Sequence, residues 1–149
     1  MIELNLPKQA FKIYNKEGKR YIFDAMRRKY VALTPEEWVR QNFTAYLISH
    51  KGYPSGLIAN ELQISLGTTK KRCDTVVYDR SLKPRMIVEY KAPQIEITQA
   101  VFDQIVRYNM ALHVDYLAVS NGLTHYCCRI DYSSSSYAFL PEIPDYSSL

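Results

Sequence analysis

The first hydrophobic positions of the chain predict a β-hairpin. Aromatic and aliphatic residues stand among polar ones over residues 11–14 and again over 19–24. The segment between them, Asn15-Lys16-Glu17-Gly18, is polar and contains a glycine, which is typical of a turn between two antiparallel strands. We therefore expect two aromatic-rich strands over about 11–24, ahead of the first helix.

The clearest helix start in the chain follows this hairpin. Thr34 can cap a helix, Pro35 suits the first helical position, and Glu37 completes the pattern of a capping box. Four apolar residues then recur at i, i+4, i+7 and i+8, the spacing of one helix face: Val39, Phe43, Tyr46 and Leu47. The pattern predicts a helix to about residue 50 and a shorter second helix over about 54–62.

The later hydrophobic runs predict strands around one further helix. Five segments have the apolar character of strands: 71–78, 86–91, 116–120, 124–130 and 137–140. The helix is expected over about 98–112, with one apolar stripe: Val101, Ile105, Tyr108 and Leu112. The order of elements is that of an α/β domain, in which helices flank a mixed β-sheet.

Length and composition fit a single globular domain over residues 1–149. The hydrophobic share of 47% and the charged share of 23% are ordinary for such proteins. No apolar run is long enough to cross a membrane, and the start lacks the features of a secretory signal. The three cysteines match neither a disulfide framework nor a zinc site, so we expect a reducing, cytoplasmic compartment. Residues 141–149 are expected to form a loosely held tail.

Charge and aromatic content leave the partner open. Nineteen Lys and Arg against fifteen Asp and Glu give a net charge of +4, which permits a polyanionic partner without demanding one. Thirteen tyrosines stand beside only five phenylalanines and one tryptophan. This bias could serve base stacking, although packing on a sheet with the hydroxyl left in water is the commoner use. A phosphate-binding loop is absent from the sequence, which excludes a P-loop ATPase.

The charged residues of the two central predicted strands suggest a catalytic site. Alternation places Glu89 and Lys91 on one face of their strand, and the preceding turn brings that strand back beside the one that holds Asp74. Two adjacent carboxylates repel each other, and burial penalises each charge. A hard divalent cation such as Mg²⁺ would stabilise them, could polarise a phosphate, and would lower the pKa of a bound water.

Lys91 would orient that water or stabilise developing negative charge, so the cluster holds the parts needed to hydrolyse a phosphodiester. An ordinary solvated sheet face is the alternative, because charged pairs at i, i+2 are common on exposed strands. Ile87-Val88 directly before Glu89 favours a buried, central strand, where unpaired charges are rare.

Further residues could serve this site. Gln104 and Tyr108 share a helix face at i, i+4 and could contact a nucleic-acid backbone or brace the site; surface exposure and core packing are the alternatives. Glu61 on the predicted second helix could be a third acidic ligand or a solvated glutamate. Two basic clusters could contact phosphates, which position a protein without reading sequence, or could be solvated faces, and proximity to Asp74 favours contact for the first of them: Lys70, Lys71 and Arg72, and Arg27, Arg28 and Lys29.

Two sets of motifs carry a family resemblance. Asp74, Glu89-Tyr90-Lys91 and the trailing Gln104-x-x-x-Tyr108 resemble the active-site motifs of the PD-(D/E)xK nuclease superfamily, although Cys73 stands where that name has a proline. Residues 21–24 and 27–41 are similar to the N-terminal signature of type I restriction enzyme R subunits and their short stand-alone relatives. The resemblance spans roughly residues 11–130, with a nuclease-like core over about 34–130.

The resemblance implies a restriction-endonuclease-like fold, with a mixed central β-sheet flanked by helices behind an N-terminal β-hairpin. It implies an Mg²⁺- or Mn²⁺-dependent DNA endonuclease with Asp74, Glu89 and Lys91 as catalytic residues. Asp74 and Glu89 would be metal ligands, assisted by Glu61, and Gln104 with Tyr108 matches the motif of this restriction subset. DNA and other restriction-modification subunits would be its partners, without a membrane, and a homodimer would suit double-strand cutting by analogy.

Two other interpretations remain open at this point. The same fold could serve as a catalytically silent module that binds nucleic acid or protein. A purely structural α/β domain could instead pair its acidic cluster with local lysines. The presence of Asp74, Glu89 and Lys91 together favours the nuclease, because a degenerate site usually loses one of them.

Overall fold

The computed structural model describes residues 1–66, 68–110 and 112–149, apart from the side chains of Ile64, Leu66, Thr69 and Lys71. Its strands are β1 (Ile13–Lys16), β2 (Lys19–Asp24), β3 (Lys29–Ala32), β4 (Ile58–Leu66), β5 (Thr69–Tyr78), β6 (Pro84–Tyr90), β7 (Tyr116–Ser120), β8 (His125–Asp131) and β9 (Ser136–Phe139). Its α-helices are α1 (Pro35–His50) and α2 (Gln99–Met110). In this described part, neither helix is long and apolar enough to span a bilayer.

A six-stranded mixed sheet in the order β4-β5-β6-β7-β8-β9 forms the centre of the fold. β6 and β7 are parallel, while the other neighbours are antiparallel. A parallel pair needs a crossover connection, and α2 lies in the one between β6 and β7. The predicted α/β class with a mixed, helix-flanked sheet is confirmed.

Alternation along β6 divides the interior into two cores. Met86, Val88 and Tyr90 pack with α1 on one face of the sheet, whereas Ile87 packs with α2 on the other. The predicted alternation of β6 is confirmed, as is the inward stripe of α1 except for the half-buried Tyr46. The large sheet is therefore covered on both faces, so a charged side chain between its central strands is withdrawn from water.

The predicted second helix over 54–62 is wrong. A short 3-10 turn, Ser55–Leu57, is followed directly by β4, which forms eight register pairs with β5. The spacing of apolar residues in this segment suits either a helix or a strand. Pairing with a ten-residue partner strand decides it, because tertiary context overrides weak local propensity.

Three other predictions need correction. The N-terminal hairpin gains a third strand, β3, which the charged run before it concealed. The buried stripe of α2 consists of Phe102, Val106 and Asn109, and Tyr108 is 53% exposed. The tail over 141–149 packs on the body of the fold, since Ile143 is only 4% exposed.

Gly122, in the turn between β7 and β8, is a position where only glycine fits without strain. Its φ is +85°, and an added Cβ would lie 2.6 Å from Leu4 Cδ2 and 3.2 Å from Val39 Cγ2. We expect Gly122→Ala to lower the free energy of unfolding by about 1–3 kcal/mol. Urea unfolding checks this, with Gly56→Ala as the control because its added Cβ meets no atom within 4 Å. Equal losses in the two variants would contradict the expectation.

Candidate active site

The β5–β6 register sets Asp74 directly opposite Glu89. Thr75 pairs with Val88 and Val76 with Ile87, and the same register continued by one residue joins the two acidic positions. Asp74 Oδ2 also accepts a hydrogen bond of 2.9 Å from the backbone N–H of Tyr90. The predicted meeting of the two carboxylates in the middle of the sheet is therefore present.

The charge of this pair is poorly compensated. Burial raises the pKa of Glu89 to about 8, and the neighbouring Asp74 carboxylate adds to the shift. The positive charge of Lys91 and a hydrogen bond from Asn109 offset only part of it. In the metal-free protein, burial and the neighbouring carboxylate therefore favour the protonated form of Glu89.

Lys91 lies just beyond the end of β6 and is half-buried. Its backbone N–H donates a 2.9 Å hydrogen bond to Ser120 O at the end of β7, which holds the residue against the sheet. Alternation sends its side chain to the same face as Glu89, and its charge acts on that carboxyl group. The structure thus brings Asp74, Glu89 and Lys91 together, as the sequence predicts.

Asn109 is a site residue that sequence reasoning missed. It is 2% exposed on α2, and its Nδ2 donates a 2.9 Å hydrogen bond to Ile105 O while the amide also bonds Glu89. Within the described residues, its buried Oδ1 has no hydrogen-bond partner. The missed signal was its spacing, because Phe102, Val106 and Asn109 follow i, i+4, i+7 and the last of them is polar.

Gln104 and Tyr108 share an exposed face of α2. Their i, i+4 spacing accounts for the common face, and Tyr108 directly precedes the buried Asn109. On β5, Lys70 and Arg72 are exposed beside the strand position of Asp74, while the side chain of Lys71 lies outside the described part of the chain.

The ion pairs of Glu61 are with arginines and do not involve the Asp74–Glu89 pair. It occupies β4 rather than a helix, with a φ of +52°, and its carboxylate forms ion pairs of 3.0 Å to Arg40, 3.2 Å to Arg27 and 3.2 Å to Arg72. Burial raises the pKa of Glu61, but these arginines outweigh it and leave the pKa below its ordinary value. Among the described residues, no three His, Cys, Asp or Glu side chains are placed to hold a metal ion together.

Comparison with known proteins assigns the part of the chain that carries the candidate site to a family. The sequence model of the family described as "Type I restriction enzyme R protein N terminus" matches residues 35–144, which include the whole candidate site. The chain belongs to this family. No curated protein sequence matches it significantly.

One solved structure has a fold similar to that of this R-protein N-terminal family member. That solved structure is described as a fragment of an HsdR subunit of a type I restriction enzyme from Vibrio vulnificus YJ016. The two share 20% sequence identity with a TM-score of 0.51, over 75% of this chain and 24% of the other. The chain thus spans about a quarter of the length of that relative, and the likeness concerns the fold alone.

A largely buried network of ion pairs joins the N-terminal sheet to helix α1. Arg27, after β2, pairs with Asp24 and donates a 3.0 Å hydrogen bond to Glu37 Oε1 in α1. Arg40 donates to the same oxygen at 2.9 Å and lies over the ring of Tyr90 at 6.0 Å. Because Tyr90 holds Asp74 through its backbone, this network braces the strand that carries the site.

The network also changes the predicted capping box. The backbone N–H of Glu37 donates to Thr34 Oγ1 at 3.0 Å, so the cap is confirmed. The Glu37 side chain, however, accepts hydrogen bonds from Arg27, Arg40 and Gln41 instead of reaching back to the Thr34 backbone. The buried Arg40 and the half-buried Arg27 guanidinium groups attract it more strongly than one backbone N–H does.

Proposed function

We propose that this member of the R-protein N-terminal family is a Mg²⁺-dependent DNA endonuclease domain that hydrolyses phosphodiester bonds within a restriction-modification system. The observation that carries the proposal is the meeting of Asp74 and Glu89 across β5 and β6, with Lys91 on the same face. A catalytically silent module with the same fold is the competing function. The raised pKa of Glu89 favours the nuclease, because a purely structural role gives no reason to retain an undercompensated acidic pair.

The residues present fit a hard divalent cation. Asp74 and Glu89 offer carboxylate oxygens, which Mg²⁺ and Mn²⁺ prefer. The positive charge of the cation would stabilise the ionised form of Glu89, whose pKa is raised by burial and by Asp74 in the metal-free protein. Asn109 Oδ1, buried without a described partner, is an acceptor for a water hydrogen. Asp74 and Glu89 would hold the metal, which when bound polarises a phosphate and lowers the pKa of a bound water.

The chain's own residues have separate tasks in this proposal. The Tyr90 N–H and the Asn109 amide orient the two carboxyl groups, so that little reorganisation is needed when substrate binds. The Lys91 ammonium stabilises negative charge as it develops on the phosphate oxygens. Lys70, Lys71 and Arg72, with Gln104 and Tyr108 on α2, contact the DNA backbone and position the scissile bond.

Cleavage of supercoiled plasmid and of single-stranded DNA tests this function, with Mg²⁺, Mn²⁺ or EDTA. We expect metal-dependent cutting that falls by about a hundredfold or more in Lys91→Ala, because a positioned proton donor or charge contributes that much to a reaction. Lys83→Ala, an exposed lysine in the β5–β6 turn, is the matched control and should cut normally. Calorimetric titration should show that Lys91→Ala still binds Mn²⁺, because Asp74 and Glu89 are unchanged in this variant.

The outcomes separate the two functions. Metal binding through Asp74 and Glu89 without cutting would indicate a nuclease that needs a partner subunit. A chain that neither cuts DNA nor binds Mn²⁺ would contradict the nuclease proposal and favour the silent module.

A further inference from the structure

The outer face of the N-terminal sheet carries four aromatic side chains in a row, which we name the aromatic face: Tyr14, Tyr21, Phe23 and Tyr30. Tyr14 pairs with Tyr21 across β1 and β2, and Phe23 pairs with Tyr30 across β2 and β3. Tyr21 and Phe23 alternate on β2 with Ile22 and Asp24, which are buried at 0% and 1% exposure. The aromatic face therefore points away from the body of the fold.

The rings of the aromatic face touch one another and form a continuous surface. Tyr14 stacks on Tyr21 with 5.1 Å between ring centres, and Tyr30 meets Tyr14 edge-on at 4.7 Å and Phe23 edge-on at 5.2 Å. Tyr14 and Tyr30 are still 40% and 42% exposed. Each of these two tyrosines thus offers ring surface to a flat partner that comes from solvent.

The segment that forms the N-terminal sheet is rich in positive charge. Residues 11–33 contain seven Lys or Arg and two Asp or Glu, a net charge of +5, while the whole chain is +4, so the rest carries −1. Alternation puts three exposed lysines on the aromatic face itself: Lys12, Lys16 and Lys19. Lys12 Nζ lies over the Phe23 ring at 5.8 Å. The positive excess of the chain therefore lies within residues 11–33, and three of its lysines share the aromatic face.

We propose that the aromatic face binds single-stranded nucleic acid, with bases stacked on Tyr14 and Tyr30 and phosphates beside Lys12, Lys16 and Lys19. Exposed aromatic rings within a positively charged surface are the chemistry by which proteins hold single strands without reading sequence. A duplex keeps its base faces stacked inside, so it can use the lysines but not the rings. A second copy of the chain fits poorly, because the lysines of two such faces would repel each other.

The sheet is tied to the strand pair of the active site. Arg27 follows β2 and pairs with Glu61 of β4 at 3.2 Å, and Glu61 also binds Arg72 of β5 at 3.2 Å. A strand held on the aromatic face is thereby anchored to the element that carries Asp74. Delivery of that strand to the site rests on the proposed nuclease function, whereas the binding itself does not.

Fluorescence anisotropy with a labelled oligothymidylate in EDTA tests the binding apart from any cleavage. We expect Tyr14→Ala and Tyr30→Ala each to weaken binding by about tenfold, the effect of losing one base stack. Tyr14→Phe and Tyr30→Phe keep the ring and should bind as wild type. Tyr126→Ala, which removes a tyrosine of similar exposure on β8, is the matched control and should also bind normally.

The wild-type chain gives a second readout that needs no variant. An abasic strand of the same length and a duplex should both bind at least about tenfold more weakly than oligothymidylate, because neither offers a free base face. Equal affinity for all three polymers, or alanine variants that bind as wild type, would overturn the proposal. So would a concentration-dependent dimer that Tyr30→Ala abolishes.

The same experiment distinguishes this proposal from the nuclease. Glu89→Gln leaves the aromatic face untouched and should bind oligothymidylate as wild type does. In the wild-type chain, oligothymidylate binding without metal-dependent cutting would speak only against the nuclease. Cutting without oligothymidylate binding would speak only against the aromatic face.

Discussion

Glu89→Gln is expected to lower phosphodiester cleavage by about a thousandfold or more, since loss of a metal ligand removes several kcal/mol of charge stabilisation. The same substitution should make the metal-free protein more stable at alkaline pH. Glutamine keeps the shape and a hydrogen-bond acceptor, but it carries no charge against Asp74. One change therefore has opposite effects on activity and on the free energy of unfolding.

The pH dependence of this stability follows from the raised pKa. In the folded, metal-free protein the pKa of Glu89 is about 8, against an ordinary value of 4.5. Between these two values the folded state holds a proton that the unfolded state has lost, so stability falls as pH rises through this window. Above about pH 6, roughly two pH units of this window remain, so we expect the wild type to lose on the order of 3 kcal/mol between about pH 6 and about pH 9 and Glu89→Gln to escape this loss.

Urea unfolding in EDTA at about pH 6 and about pH 9 measures this difference. The exposed Glu96 provides the control, since Glu96→Gln should follow the wild type at both pH values. Calorimetry with Mn²⁺ should show that Glu89→Gln has lost metal binding. If Glu89→Gln lost as much stability between the two pH values as the wild type, the pKa of Glu89 would not be raised in the folded protein.

Glu37→Ala is expected to lower the free energy of unfolding by about 3–5 kcal/mol, the usual cost of removing one partner from a buried ion network. Glu37 is 6% exposed and is the acceptor shared by Arg27, Arg40 and Gln41. Without it, the one carboxylate that still pairs with Arg40 among the described residues is the exposed Glu61, and Arg40 Nε already lacks a hydrogen-bond partner there. A buried guanidinium with less compensation is what destabilises the variant.

The neighbouring residue supplies a matched control for this experiment. Glu36 is exposed in the same first turn of α1, and Glu36→Ala should cost only about 0.5 kcal/mol through the helix dipole. Glu37→Gln retains acceptor and donor atoms and should fall between the two. Denaturant unfolding of the three variants gives the order, and a loss in Glu37→Ala no larger than that in Glu36→Ala would rule out a structural role for the network.

The central strand and its charged face could be predicted from the chain because they depend on alternation alone. The period of two along β6 assigns Glu89 and Lys91 to one face whatever surrounds them. The polar turn brings the strand of Asp74 back beside β6. The register that sets Asp74 opposite Glu89 also depends on an irregularity between Val77 and Tyr78, which the sequence does not predict. The Thr34 cap and the α1 stripe were likewise predictable, since they rest on local geometry.

Where the local sequence suits both a helix and a strand, the neighbouring elements in the fold decide which of the two forms. The segment of β4 has apolar residues at spacings that suit a helix, and only pairing with β5 makes it a strand. Moving Glu61 from a helix to this strand changes its neighbours, so that it meets three arginines instead of the acidic pair. Asn109 was hidden for a related reason, because a polar residue on a buried helix position is intelligible only once Glu89 lies beside it.

By itself, the sequence determined which residues share a face, where α1 begins, and that two carboxylates and a lysine lie within reach of one another on neighbouring strands of a mixed sheet. Those features follow from the periods of strand and helix and from caps only a few residues long. Tertiary structure alone decided that Glu37 joins Arg27 and Arg40, and that four aromatic rings form one outward surface. Such contacts join residues from separate elements, and their energies depend on burial that exists only after the elements have packed.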